Sequence, residues 1–226
     1  SGNGYDGTNN GATVTATGYD GKDNGAYSFD GSSDYILISE KFQTPKFTVS
    51  FWANAVDDGD SSSSHSTISN RYHDSVTAHG WNFYTPIGNT GYWQFWIGIG
   101  TSATWSTIST SSAVSYNEWH HVVGTYDGTI LKFYIDNVLI GTNITTYGYS
   151  SAGNHANGTE IGRNDNGNSY NYKGSIDDVR IYNKALSPEQ VESIYYEGNF
   201  DLKNGLQGWW KLDDSTHLDG AKVFDS

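Results

Sequence analysis

Alternation of large apolar residues with small or polar ones recurs along this chain, and no other feature constrains its fold as tightly. In residues 47–53 (FTVSFWA), Phe47, Val49 and Phe51 point one way while Thr48, Ser50 and Trp52 point the other. That is the period of a half-buried strand. In residues 92–99, Trp93, Phe95, Ile97 and Ile99 alternate with Tyr92, Gln94, Trp96 and Gly98, so both faces carry large groups. A central strand of a two-layer sandwich has this pattern. Further strands are predicted at 12–17, 26–29, 35–39, 67–72, 81–85, 118–127, 130–135, 138–141, 159–163 and 174–182. Asp136-Asn137 joins two of them as a two-residue hairpin, because both residue types tolerate positive φ.

A single helix is predicted. Ser187 is its N-cap, Pro188 its first residue and Gln190 the third position of a capping box. Val191, Ile194 and Tyr195 follow as an apolar stripe, and Gly198 ends it. The polar run 57–66 (DDGDSSSSHS) and the Gly-punctuated residues 1–25 read as loops. Many short strands with one helix make an all-β, antiparallel two-sheet sandwich. Its 226 residues fit a single domain over 1–226.

The core must be aromatic: there is no Cys or Met, but 17 Tyr, 9 Phe and 8 Trp. A formal charge of −13 argues against nucleic acid, whose phosphates call for Lys and Arg. No apolar run reaches the roughly 20 residues of a spanning helix, so membrane insertion is not expected. The Gly, Ser, Thr, Asn and Tyr content suits an extracellular or cell-surface protein. Lacking Met at position 1, the chain is expected to be a processed product or an excised piece whose signal peptide has gone.

The end of the chain, GLQGWWKLDDSTHLDGAKVFDS (205–226), reads as the opening of a domain. Residues 208–212 form a short aromatic strand. Written ahead of residue 1, the tail gives the continuous turn-rich motif VFDS-SGNGYDGT.

The succession FDGSSDYILI, FTVSFWA, EWHHVVGTYDGTILKFYIDNVLIG, TEIGR and GSIDDVRIYNKALSPEQVESIY resembles the laminin-G-like branch of the concanavalin A-like lectin/glucanase jelly rolls, over nearly the whole chain. The resemblance implies a jelly-roll sandwich that usually opens with a strand like GWWKLDDS. Here that strand stands last, so the resemblance implies a circular permutation. Residues 205–226, with Trp209, Trp210 and Leu212, would then close their own domain, begin a following repeat, or complete a neighbouring copy by strand exchange.

The resemblance also implies a structural Ca²⁺, with Asn3, Asp30, Asp34, Asp177 and Asp225 at the matching positions. Hard oxygen ligands suit that ion, although Asp and Asn in turns also bond their own backbone. With Asn3 and Asp225 as ligands, the ion would clip the two ends of the chain together.

For sugar binding, Trp52, Tyr84, Trp96 and Trp105 are the candidate platforms among a wider set that includes Trp81 and Tyr92. Packing is the competing explanation. Trp93, Trp119 and Trp209 are expected inside.

No enzyme is expected. The strands lack paired carboxylates, and Glu40, Glu118, Glu160, Glu189, Glu192 and Glu197 are scattered near turns or on the helix. His120 and His121 are adjacent on a strand and so face opposite ways. The other histidines fall mainly in loops. The sequence therefore reads as a non-catalytic, calcium-stabilised adhesion module for glycans or cell-surface proteins. The alternative is a filament or tandem-repeat subunit, partnered by copies of itself through exchange of the C-terminal strand.

Overall fold

The computed structural model describes residues 5–40, 42, 44–57, 59, 64–73, 77–87, 91–100, 103–145, 158–164, 170–197, 204–213 and 222–223. In chain order the first strands are β1 (Gly7–Asn10), β2 (Thr13–Ala16), β3 (Ala26–Asp30), β4 (Tyr35–Ile38), β5 (Phe47–Ala55), β6 (Ser64–His73), β7 (Ala78–Ile87) and β8 (Tyr92–Gly98). They are followed by β9 (Trp105–Ser109), β10 (Trp119–Tyr126), β11 (Ile130–Ile135), β12 (Val138–Ile144), β13 (Thr159–Ile161), β14 (Lys173–Tyr182), α1 (Pro188–Glu197), β15 (Leu206–Trp210) and β16 (Lys222–Val223).

These strands build the two antiparallel sheets of a jelly-roll sandwich. One runs β16-β1-β4-β13-β6-β7-β8-β9; the other runs β12-β11-β10-β5-β14-β3-β2, with β15 on β14. The inward sets of the alternating runs meet between them. Phe83 and Phe95 stack at 4.5 Å, and Phe51 meets Phe83 edge-on at 5.2 Å. Each fully buried ring of this size contributes about 1.5–3 kcal/mol. A Cβ on Gly124 would lie 2.6 Å from both Phe83 and Phe95, so the rings of one sheet seat directly on the backbone of β10.

Several local signals in the sequence have their physical counterparts. Asp136 and Asn137 hold φ of 50° and 63°, as a two-residue hairpin turn requires. Gln190 N donates to Ser187 Oγ at 3.3 Å, and Ser187 N donates to Gln190 Oε1 at 3.0 Å, closing the capping box. The helix packs Val191 and Ile194 with Val123, Tyr134, Tyr182 and Leu186 on the outer face of the second sheet.

Other expectations are corrected. β1 (GTNN) carries no apolar residue and lies in a stretch whose glycines predict loop. It is a strand because β4 and β16 bond to its backbone, and Gly7 admits Ile36 where a Cβ would meet that side chain at 2.6 Å. β9 was likewise unforeseen, and β6 begins at Ser64 inside the polar run. His65, His73 and His79 therefore lie on strands rather than loops. Trp119 and Trp209 are half-buried; it is Trp210 that enters the core.

The edge of β14 is completed by two segments far apart in sequence. β3 bonds Lys173 to Ile176, and β15 bonds Val179 to Tyr182 of the same chain. Trp210 is fully buried, meets Phe42 edge-on at 5.8 Å, and donates from Nε1 to the Tyr5 carbonyl at 3.0 Å. Leu212 is buried in the same core. Of the tail, 205–213 and 222–223 fall within the described residues.

Candidate functional site

The outer face of the first sheet is assembled by cross-strand pairing. Trp93, Phe95 and Ile97 of β8 turn inward, which sends Gln94 and Trp96 outward. Directly paired residues share a face. Trp96 pairs with Asn82 and Thr107, Gln94 with Tyr84, Gly98 with Trp105, and Asn82 with Ser69. Three of the four aromatic residues proposed for sugar contact, Tyr84, Trp96 and Trp105, therefore stand side by side. Tyr84 and Trp96 are 5.3 Å apart edge-to-face, and Trp96 and Trp105 are 5.9 Å apart.

Arg71 lies across this row. Its guanidinium carbon sits 4.7 Å from the Trp105 ring centre and 5.9 Å from that of Tyr84, and Nη1 donates to the Tyr84 hydroxyl. Burial holds the Tyr84 phenol above its ordinary pKa, against the pull of Arg71. Beneath these groups lie polar atoms without partners. Asn82 is fully buried; its Oδ1 accepts from Ser66 Oγ at 2.5 Å, while its Nδ2 has no hydrogen-bond partner. Asn164, 2% exposed, approaches the Tyr84 hydroxyl without reaching hydrogen-bond geometry, so both its amide atoms stay unpaired. Arg71 Nε is unpaired as well. A buried polar atom left without a partner costs about 1–3 kcal/mol, so these atoms call for a partner that the protein does not supply, a water or a ligand.

The fourth candidate, Trp52, lies on the other sheet. It is stacked between Tyr19 at 4.5 Å and Tyr195 of α1 at 5.6 Å, with His121 at 5.0 Å. Its faces are covered by the protein itself.

Of the residues proposed for calcium, Asn3 and Asp225 lie outside the described residues. Asp30 caps its own hairpin, accepting from the backbone N–H of Ser32, Ser33 and Asp34, and Asp34 accepts from Asp30 N. Lys173 is the partner of Asp30 on β14, and Asp177 is four positions further along, about 13 Å away at strand rise. Asp177 thus sits apart from that hairpin. Among the described residues no three His, Cys, Asp or Glu side chains gather closely enough to hold a metal.

Asp177 has its own surroundings. A bulge in β14 pairs Asp177 with Trp52 and Arg180 with Ser50, and Asp178 takes φ of 48°. It thereby presents Asp177, Asp178 and Arg180 together beside a cavity of about 170 Å³ lined also by Tyr19, Asp20 and Trp209. Burial, then the neighbouring Asp178, pushes Asp177 up to about 8, and burial pushes Asp178 up to about 6. Arg180 pairs with Asp178 at 2.8 Å, and Trp209 Nε1 donates to the same carboxylate. Asp177 Oδ2, Asp20 Oδ1 and the Gly25 carbonyl lie 2.8, 3.0 and 2.8 Å from the point a Cβ on Gly18 would occupy. This set of hard oxygens fits a calcium ion in kind, with two carboxylates rather than three.

A third cluster joins Ser115 Oγ to His120 Nε2 at 2.9 Å and His120 Nδ1 to Asp136 Oδ2 at 2.7 Å. The order is that of a hydrolytic triad. However, Glu118 Oε2 takes a hydrogen bond from Ser115 Oγ at 2.6 Å, competing with the imidazole for that proton and setting a carboxylate beside the oxygen that would attack. Asp136 also accepts from His121 N at 2.8 Å, so the cluster ties the 136–137 turn to β10.

Arg71, Asn82 and Asn164 were not singled out from sequence. Asn82 alternates with Trp81 and Phe83, so its outward position was legible; its unpaired amide was not.

Similarity to known proteins agrees with this architecture. The chain belongs to the concanavalin A-like lectin/glucanases superfamily: a laminin-G-type family model of that description matches residues 30–192. A 107-residue stretch, 47% of the chain, is 27% identical to adhesion G-protein coupled receptor V1 of Danio rerio, of which it spans 2%. Among solved structures, a candidate carbohydrate binding protein from Bacteroides ovatus ATCC 8483 superposes with a TM-score of 0.64 at 20% identity, covering 89% of this chain and 55% of that one. Domain 4 of AbnA, a GH43 extracellular arabinanase from Geobacillus stearothermophilus in complex with arabinotriose, gives 0.61 at 22% identity, with 84% and 87% covered. The Ruminococcus gnavus IT-sialidase CBM40 bound to α2,3 sialyllactose gives 0.61 at 15% identity, with 74% and 95% covered.

Proposed function

We propose that this chain is a non-catalytic, extracellular binding module that recognises glycans on the outer face of its first sheet. The observation that carries this reading is the row Tyr84, Trp96 and Trp105 set over the unpaired amides of Asn82 and Asn164. Aromatic faces take the apolar side of a sugar ring, and the buried polar atoms take its hydroxyls. The carbohydrate complexes of two structural neighbours and the adhesion receptor relative support it.

In the same reading residues 205–226 supply the opening strand in a permuted order, a view supported by the pairing of Leu206–Trp210 along β14. Calcium would be held by Asp177 and Asp20 with the Gly25 carbonyl, where it would supply fixed positive charge beside two carboxylates. Asp177 and Asp178 would then both be held ionised.

A glycan array followed by calorimetry tests the binding role. Trp96→Ala and Trp105→Ala are expected to weaken the best-bound glycan tenfold or more while moving the melting temperature little. Loss of no affinity in either variant would remove the proposal. For calcium, chelation is expected to lower the melting temperature of the wild-type protein and to leave Asp177→Asn unmoved; an unchanged wild-type transition would reject the ion.

A further inference from the structure

The candidate glycan face holds an unusual cation. The chain has only three arginines, Arg71, Arg163 and Arg180, against 25 acidic residues. Two of them are neutralised by buried carboxylates. Arg163 donates to Glu160 Oε1 from Nε at 2.9 Å and from Nη2 at 2.7 Å, and Arg180 meets Asp178 at 2.8 Å. Arg71 has no carboxylate partner among the described residues. Its contacts are the Tyr84 hydroxyl and the faces of Tyr84 and Trp105, and its Nε is buried and unpaired.

The unpaired atoms around it are mainly donors. Asn82 has already given its carbonyl oxygen to Ser66, so what it still offers is Nδ2–H. Arg71 adds Nε–H, and Asn164 adds an amide with both functions free. A neutral sugar hydroxyl both donates and accepts and has no need of a cation. A carboxylate accepts only, takes several N–H groups at once, and forms its strongest pairs with guanidinium. Within a chain of net charge −13, an unneutralised guanidinium on one aromatic face is a local reversal of sign suited to an anion.

Resting on the glycan reading above, we infer that the ligand is an acidic sugar whose carboxylate pairs with Arg71 and the amides of Asn82 and Asn164, with its ring against Trp96 and Trp105. A uronic and a sialic-acid residue present the same carboxylate and differ in what surrounds it.

Calorimetry with matched pairs tests this. One pair is a glucuronate-terminated trisaccharide and its carboxyl-reduced counterpart; the other is sialyllactose and lactose. The acidic member of at least one pair is expected to bind tenfold or more tighter, and the preferred pair tells uronic from sialic recognition. Arg71→Gln is expected to close the gap between the two members, and Arg71→Lys to keep part of it. Equal or tighter binding of the neutral members overturns the inference and leaves the glycan reading standing. Failure of every glycan on the array to bind the wild-type protein overturns both. The wild-type comparison stands by itself should the Arg71 variants fold poorly.

Discussion

The two sheets each carry a tryptophan-bearing outer face, and the faces have opposite fates. On the second sheet, Trp52 lies between Tyr19 and Tyr195. On the same side Trp209 has Arg180 at 4.6 Å and Lys211 at 4.9 Å from its ring, with Nε1 bonded to Asp178. Helix α1 and the loop bearing Tyr19 cover that surface. On the first sheet, Trp96 and Trp105 lie beside Arg71 and above unpaired amides. Outward aromatics are therefore poor evidence for a ligand by themselves. What separates packing from recognition is whether the protein's own rings cover the aromatic faces: Trp52 Nε1 and His121 Nδ1 lack hydrogen-bond partners too, but Tyr19 and Tyr195 lie against the Trp52 ring.

The largest effect is expected at Trp52. Trp52→Ala removes a ring held between two others and is expected to cost about 3 kcal/mol in chemical denaturation, with glycan affinity unchanged within twofold. The reverse outcome, intact stability with lost binding, would exchange the roles of the two faces.

Acid should act on the covered face next. Burial first, then Arg180, against the weaker pull of Asp136, brings His121 down to about 3. The folded state therefore keeps this imidazole neutral, bonded to Ser50 at 2.9 Å, while the unfolded chain protonates near 6.5. This contribution is complete above about pH 6.5 and is lost as pH falls towards 3, amounting to about 2 kcal/mol by pH 5. Asp177 and Asp178, pushed up by burial, work in the opposite direction over the same range, so the difference between wild-type and His121→Gln unfolding curves from pH 7 to pH 5 measures the imidazole's share. The same pH dependence in wild type and variant would show that His121 contributes nothing to it.

The finest of these tests is Trp209→Phe, which keeps a ring between Arg180 and Lys211 but deletes the donor to Asp178. A loss of about 1 kcal/mol is expected, with glycan affinity unaltered. No loss would show that the Asp178 carboxylate is satisfied by Arg180 alone.

Much of the architecture was legible because it follows from local rules. Alternation in 47–53 and 92–98 assigned inward and outward residues, Asp136-Asn137 made the hairpin, and Ser187 with Gln190 capped the helix. β1 escaped because its strand character comes from neighbours in space, and no apolar pattern of its own announces it. Trp209 and Trp210 could not be sorted either. Both belong to an aromatic pair on a short strand, and only its register on β14 sends Trp210 inward.

The sequence by itself determined that this chain forms an aromatic, antiparallel sandwich, since strand period, turn chemistry and capping act over a few residues. Only the tertiary structure decided which tryptophans are open. That depends on β6, β7, β8 and β9 lying side by side, on Tyr19 and Tyr195 converging from distant segments, and on Arg71 alone of the three arginines having no carboxylate partner among the described residues. Partner satisfaction is a property of what meets in space, and strand periodicity carries no record of it.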